Sequence, residues 1–260
     1  MKTATTIFQN GNHSWTVIAR DPAKQTFLID TNEYLISRDG EHMLTDPGGS
    51  EIFPAVFAAL STIIDPMRID RLFASHQDPD IISSLGLWLD CNPKLRCYVS
   101  RLWSTFIPHF GGDDQSLQPI PDEGQQITLG LGKLFAMPAH YLHASGNHHL
   151  YDPDARILFS GDVGAALLPA DESGLFVQDF DRHIRHAEGF HRRWMGSTEA
   201  KLDWCERAAN MKIEMMCPQH GAIYKGADVE RFINWFAELP IGPSTPERSH
   251  LNFSTKTHDA

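Results

Sequence analysis

Four places in this sequence put imidazole or carboxylate side chains where they could share a cation. The densest is Ser75-His76-Gln77-Asp78-Pro79-Asp80-Ile81, in which His76, Asp78 and Asp80 alternate. Alternate residues of an extended loop point to one side, so the three can converge. Pro79 biases Asp78 away from helical geometry and keeps the loop extended until about Ile81. The same run would also serve as a capped turn before a helix, and taken alone it favours neither reading. The other three places follow predicted strands. They are Met137-Pro138-Ala139-His140-Tyr141-Leu142-His143, Phe159-Ser160-Gly161-Asp162 and Cys217-Pro218-Gln219-His220-Gly221. One strand-end His or Asp is commonplace, but four such places in one chain point to metal chemistry.

The elements that must position these residues fall into two blocks. Strand-like alternation covers residues 14–19, 26–30, 33–37 and 42–45, with an Asp39-Gly40 turn before the last, and ends at Asp46-Pro47-Gly48-Gly49. Helical spacing follows over 53–64 with Ser50 as cap, then a strand at 69–74, a helix at 81–89, a strand at 95–99 and a helix at 102–110. The second block has strands at 126–129, 133–137, 149–151 and 156–159, with Asp152-Pro153-Asp154 as a turn. Helices at 181–195 and 199–211, a strand at 213–217 and a helix at 229–239 complete it. Strands followed by strand–helix units, twice, predict two sheets packed face to face with helices outside. One domain is expected over residues 1–240. Residues 241–260, rich in Pro, Gly, Ser and Thr, are expected to form a flexible tail.

Composition narrows the partners. Lys and Arg number 22 against 33 Asp and Glu, a net charge of −11 in 260 residues. That excess argues against nucleic acid or an anionic membrane, both of which reward a basic face. No apolar run approaches the ~20 residues that span a bilayer, and the N-terminus lacks a signal-peptide core, so a cytoplasmic location is expected. Cys91, Cys97, Cys205 and Cys217 show no CxxC spacing and are expected as buried thiols. His183, His186 and His191 share a predicted helix and are expected to be solvated or interhelical, while Arg192 and Arg193 could shape a site entrance or form salt bridges.

In order and spacing, His76-x-Asp78-x-Asp80, His143, Gly161-Asp162 and Pro218-Gln219-His220-Gly221 resemble the metallo-β-lactamase superfamily over roughly residues 10 to 240. The resemblance implies an αββα sandwich, two mixed β-sheets with helices on the outer faces, and a binuclear site at one sheet edge. By position, His76, Asp78 and His143 would hold the first metal and Asp80 and His220 the second, with Asp162 bridging. Hydrolases of the superfamily generally carry His-x-His-x-Asp-His, whereas here Asp78 takes the second position and Ile81 follows Asp80. A carboxylate in place of imidazole makes the site harder and more anionic, which favours iron or manganese over zinc.

That carboxylate, usually Glu, marks the di-iron branch: flavodiiron proteins and the oxygen-binding di-iron proteins. Residues 141–147, 159–164 and 190–195 resemble the stand-alone oxygen-binding group. The resemblance implies two iron ions as cofactor, with zinc or manganese as alternatives, and O2 or NO as ligand. It implies a sensor or carrier, or an oxygen reductase whose electrons come from outside, since no flavodoxin-like domain is expected to follow. An electron-donor or signalling protein and a second copy of the chain, as a homodimer, are the partners it suggests. The Tyr141 hydroxyl could donate to a bound ligand, or simply pack. His140 and His148 compete with His143 and are expected to be structural. The rival class is a zinc hydrolase using metal-bound hydroxide on an ester, lactone or phosphodiester; Asp78 is its chief difficulty.

Overall fold

The computed structural model describes residues 2–21, 28–113 and 115–242. An antiparallel run opens it: β1 (Thr3–Asn10), β2 (His13–Ala19), β3 (Glu33–Arg38) and β4 (Glu41–Thr45). Then come α1 (Phe53–Leu60), β5 (Arg71–Phe73), α2 (Pro79–Ile82), α3 (Leu85–Cys91), β6 (Arg96–Ser100) and β7 (Leu117–Ile120). The second half holds β8 (Gln125–Leu129), β9 (Gly132–Pro138), β10 (His148–Asp152), β11 (Ile157–Gly161), α4 (Phe180–Trp194), α5 (Thr198–Ala209), β12 (Met215–Pro218), β13 (Tyr224–Lys225) and α6 (Ala227–Glu238). One sheet runs β1 through β7 in sequence order, and the other is ordered β13-β12-β11-β10-β9-β8. Both are mixed: β4, β5, β6 and β7 pair in parallel, as do β11 and β12, and the remaining pairs are antiparallel.

Period-two alternation explains the layering. In β2, Trp15 and Val17 point between the sheets while Ile18 points out toward the helices. Tyr34 and Ile36 alternate with Leu35 in the same way. The inner core joins these residues to Ile127, Leu134 and Phe159 of the second sheet. Outside the first sheet, Val56, Leu60, Ile81, Leu85 and Trp88 cover it, and Phe190, Trp204, Phe232 and Phe236 cover the second. The chain is an αββα sandwich.

Several expectations change. The predicted helix at 102–110 is a set of turns ending in a short 3-10 segment, Ile107–Phe110, which contains Pro108. The helix expected at 81–89 breaks at Ser83-Ser84 into α2 and α3. Ser50 does not cap α1; Ile52 holds that position. β1, which the alternation did not mark, is an edge strand rich in Thr, with Ile7 and Phe8 packed against the inner core. Asp152 is buried and accepts from the Trp15 indole N–H at 2.7 Å rather than merely forming a turn. Of the strand expected at 26–30, residues 26 and 27 lie outside the described residues and 28–30 are not in a strand. Of the expected tail, 243–260 lies outside them as well. All four cysteines are free, three of them buried. Among the described residues no helix is long and apolar enough to cross a membrane.

Helix α4 decides between two readings of its histidines. His183 and His191 are buried, and His191 lies between helices, its ring against Phe232, Trp235 and Phe236 of α6. The His183 ring packs against Tyr224 at 5.1 Å, and its Nε2 has no hydrogen-bond partner. Burial, reinforced by His186, lowers its pKa to about 4. The fold therefore favours the neutral ring relative to an unfolded chain, where His titrates near ~6.5. This contribution is fully present above pH ~6.5 and is lost as the pH falls toward 4. Comparing urea unfolding of the parent chain and His183→Leu should show the variant's stability declining less between pH 7 and 5, by about 1–2 kcal/mol. Parallel curves would show that His183 is not held neutral.

Candidate metal centre

The four ligand-bearing segments leave the ends of β5, β9, β11 and β12 and meet at one edge of the sandwich. Gly161 turns the chain after β11 with φ +49°, and a Cβ there would lie 3.0 Å from the Ser75 hydroxyl. Glycine thus lets the Asp162 turn close against the His76 segment. Gln219 ties three of the segments together. Its amide donates to the Asp80 carbonyl at 3.1 Å, and its backbone N–H donates to the Gly161 carbonyl at 2.8 Å. Asn32, just before β3, donates to the Gly221 carbonyl at 2.9 Å, and the Tyr34 hydroxyl of β3 donates to the Pro218 carbonyl at 2.9 Å, which fixes the turn carrying His220. On the other flank, buried His191 accepts from the Gly164 N–H at 3.0 Å and donates to the Ala187 carbonyl at 2.8 Å, so α4 supports the turn after Asp162.

All six candidates converge, in two groups that share Asp162. His76 Nε2 lies 3.6 Å from Asp78 Oδ2 and 3.6 Å from Asp162 Oδ2. His143 Nε2 lies 3.6 Å from Asp78 Oδ2 and 2.8 Å from Asp162 Oδ2. In the other group, His220 Nε2 lies 3.4 Å from Asp80 Oδ2 and 3.4 Å from Asp162 Oδ1. One carboxylate oxygen of Asp162 therefore faces each group. His76 Nε2 and Asp162 Oδ1 are buried without a hydrogen-bond partner, which costs free energy unless something else satisfies them. Separations of 3.4–3.6 Å are poor hydrogen bonds, but they lie close to the edge of roughly 3.4 Å in a tetrahedral shell of ligands bound at ~2.1 Å to one cation. The residues fit a pair of metal ions.

Hydrogen bonds behind the rings choose the tautomers. The Ser75 hydroxyl donates to Asp46 at 2.7 Å, so His76 Nδ1–H donates to that hydroxyl at 2.9 Å and its Nε2 lone pair faces the site. His220 Nδ1–H donates to the Asp30 carbonyl at 2.6 Å with the same result. Burial alone would depress the His76 imidazole, but Asp78, Asp162 and Asp46 outweigh it and raise the pKa to about 9. His220 is likewise raised to about 9, against burial, by Asp162 and Asp80. Burial would raise the Asp162 carboxyl, yet His220, His143 and His76 hold it well below the usual carboxylate range, and Asp78 is lowered by His76 and His143 against the same opposition. Without a cation, protons on imidazole balance this anionic pocket. A metal would take their place and release them.

A cavity of about 430 Å³ opens onto both groups. Leu28, Ile29, Phe190 and Trp194 form its apolar wall, and Glu51 adds a carboxylate. The His143 ring lies 5.3 Å from Trp194 and 6.1 Å from Phe190. The remaining candidates lie elsewhere. His140 pairs with the Asp122 carbonyl at 2.8 Å, and buried His148 lies against the Pro121 and Gly146 carbonyls. Tyr141 is 54% exposed and does not line the cavity. Arg192 pairs with Glu188 at 2.7 Å and, like Arg193, is absent from the cavity wall. Sequence reasoning missed Asp46, Ser75 and the Asp30 carbonyl. The first was hidden in what looks like a Pro-Gly turn, Ser75 carries no signal beyond adjacency to His76, and the Asp30 carbonyl meets His220 across 190 residues with no signal at all.

Residues 29–221 match the family described as ODP family beta lactamase. The apo state of the chemotaxis sensor ODP from T. denticola is 38% identical, with a TM-score of 0.84, and the match covers 92% of this chain and 95% of that one. A structure described as a peroxy diiron species of chemotaxis sensor ODP is 37% identical, with a TM-score of 0.83, over 92% and 96% of the two chains. Rubredoxin-oxygen oxidoreductase from Megalodesulfovibrio gigas is 23% identical over 219 residues, which is 80% of this chain and 54% of that protein. The chain spans about half the length of the curated relatives it matches.

Proposed function

Because the chain belongs to the ODP family of β-lactamase-like domains, on the di-iron branch of the metallo-β-lactamase superfamily, we propose that it holds two iron ions and binds O2, with NO as a competing ligand, as an oxygen sensor. His76, Asp78 and His143 hold one ion, Asp80 and His220 the other, and Asp162 bridges them. The observation that carries this reading is the division of the Asp162 carboxylate between the two groups. A ferrous pair, when bound, supplies one electron from each ion to O2.

The protein's own part is positional. Ser75 and the Asp30 carbonyl aim the two Nε2 lone pairs. Asp78 supplies a hard anionic donor where a zinc hydrolase has imidazole, which favours iron over zinc. The wall of Leu28, Ile29, Phe190 and Trp194 offers a small uncharged ligand an apolar surface beside the donors. A sensor role draws support from the likeness to a chemotaxis sensor over nearly that chain's whole length. The likeness to an oxygen reductase reaches only half of that protein, so turnover with an outside electron donor is the second reading.

Iron-loaded, reduced protein exposed to O2 in a sealed cuvette tests this. A new visible band that disappears on deoxygenation is expected. Zinc content with no such band would defeat the iron reading, and steady O2 consumption with an added donor would replace the sensor with a reductase. Ser75→Ala should weaken iron binding about tenfold, because His76 loses the partner that fixes its tautomer. An unchanged affinity in metal titration would show that the bond does not orient the ring.

A further inference from the structure

The two groups of donors are unequal. Four donor atoms face the first ion: His76 Nε2, Asp78 Oδ2, His143 Nε2 and Asp162 Oδ2. Only Asp80 Oδ2, His220 Nε2 and Asp162 Oδ1 face the second. The next residue in the chain gives no help, since Ile81 is fully buried in the core between the first sheet and its helices. Asp162 Oδ1, buried and unpartnered, points into this poorer group.

Among the residues lining the cavity, Glu51 is the one remaining side chain of metal-ligating type. The turn that carries it is fastened to the segment immediately after Asp80. Gly48 N–H donates to the Ile81 carbonyl at 3.0 Å, Ser84 N–H to the Gly48 carbonyl at 3.2 Å, and Ser50 N–H to the Ser83 hydroxyl at 3.0 Å. Ile52 N–H closes the turn on the Gly49 carbonyl at 3.2 Å. Backbone bonds thus hold Glu51 beside the Asp80 helix. Its carboxylate folds back over Gly49, where a Cβ would meet the two oxygens at 2.4 and 2.5 Å. Among the described residues it has no hydrogen bond or ion pair. An acidic side chain is thus parked without a partner on a fixed turn at the cavity, next to the ion short of protein donors.

We propose that Glu51 turns inward from this resting position to become the fourth protein ligand of the second ion. This rests on the two-ion reading above. The added anionic oxygen suits a hard cation and selects against zinc at that position.

Metal-free protein titrated with Mn²⁺, followed by metal analysis and electron paramagnetic resonance, gives a readout independent of O2 chemistry. The parent chain should take two ions. Glu51→Gln and Glu51→Ala should weaken the second ion at least tenfold and leave the first within twofold, and the loss should persist in about 0.5 M salt, where a distant surface charge is screened. Second-ion affinity within twofold of the parent would overturn the proposal. So would a loss shared equally by both ions and abolished by salt, the mark of a merely solvated carboxylate. A parent chain that takes fewer than two ions would instead overturn the underlying two-ion reading, and this inference with it.

Discussion

Asp162→Ala is expected to abolish the paired centre, leaving no more than one weakly held ion per chain. Its two oxygens are the shared element, one within 3.6 Å of both first-group imidazoles and the other 3.4 Å from His220. Without the carboxylate the second group is reduced to Asp80 and His220, two donors on separate loops. Loss of an outer hydrogen-bonding partner of a ligand already costs 10–100-fold in metal affinity, so loss of the bridge should exceed about a hundredfold for the second ion. Asp162 is also the anionic partner that His143 and His220 share, and its removal should lower the raised pKa of His220, now about 9, while Asp80 and the Asp30 carbonyl continue to hold it up against burial. Metal analysis alongside circular dichroism, with Asp162→Asn to preserve volume, separates loss of the site from loss of the fold. Two ions in a folded Asp162→Ala protein would refute the bridging assignment.

Asp78→His should change which metal the site selects. Asp78 Oδ2 lies 3.6 Å from both His76 and His143, and its side chain is 30% exposed, so an imidazole has room to enter from the cavity. The exchange removes one negative charge and substitutes a softer donor, which moves the first site toward zinc and away from ferric iron. Competition between Fe²⁺ and Zn²⁺ should shift toward zinc at least tenfold, and the O2-dependent band should be lost from zinc-loaded protein. An unchanged preference would mean that the carboxylate at this position does not decide the metal, and the zinc-hydrolase reading would regain its footing.

Much of this was legible in the residues alone, for identifiable reasons. Alternation placed His76 and Asp78 together, but the extended loop ends at Asp78: Pro79 opens α2, so Asp80 is helical and joins His220 instead. The strand-end positions of His143, Asp162 and His220 followed from apolar runs that stop at Gly or Pro. The supports behind the site were not legible. Asp46 meets Ser75 across 29 residues, and nothing in Asp46-Pro47-Gly48 distinguishes a buried acceptor from an ordinary turn. Buried His183 and His191 looked polar because residue type cannot say which face of α4 meets the core. β1 escaped notice because its apolar residues Ile7 and Phe8 are adjacent, across a register shift, among Thr and Gln, and so break the period-two pattern of a strand. Phe190 and Trp194 share one face of α4 at a spacing of four, but only the fold brings that face over His143.

Anomalous diffraction at the iron edge, from crystals of protein loaded with Fe²⁺ without oxygen, tests the centre most directly. Two iron peaks should flank the Asp162 carboxylate, one among His76, Asp78 and His143, the other against Asp80 and His220. A single peak, or iron bound anywhere that leaves Asp162 Oδ1 without a metal neighbour, would contradict it.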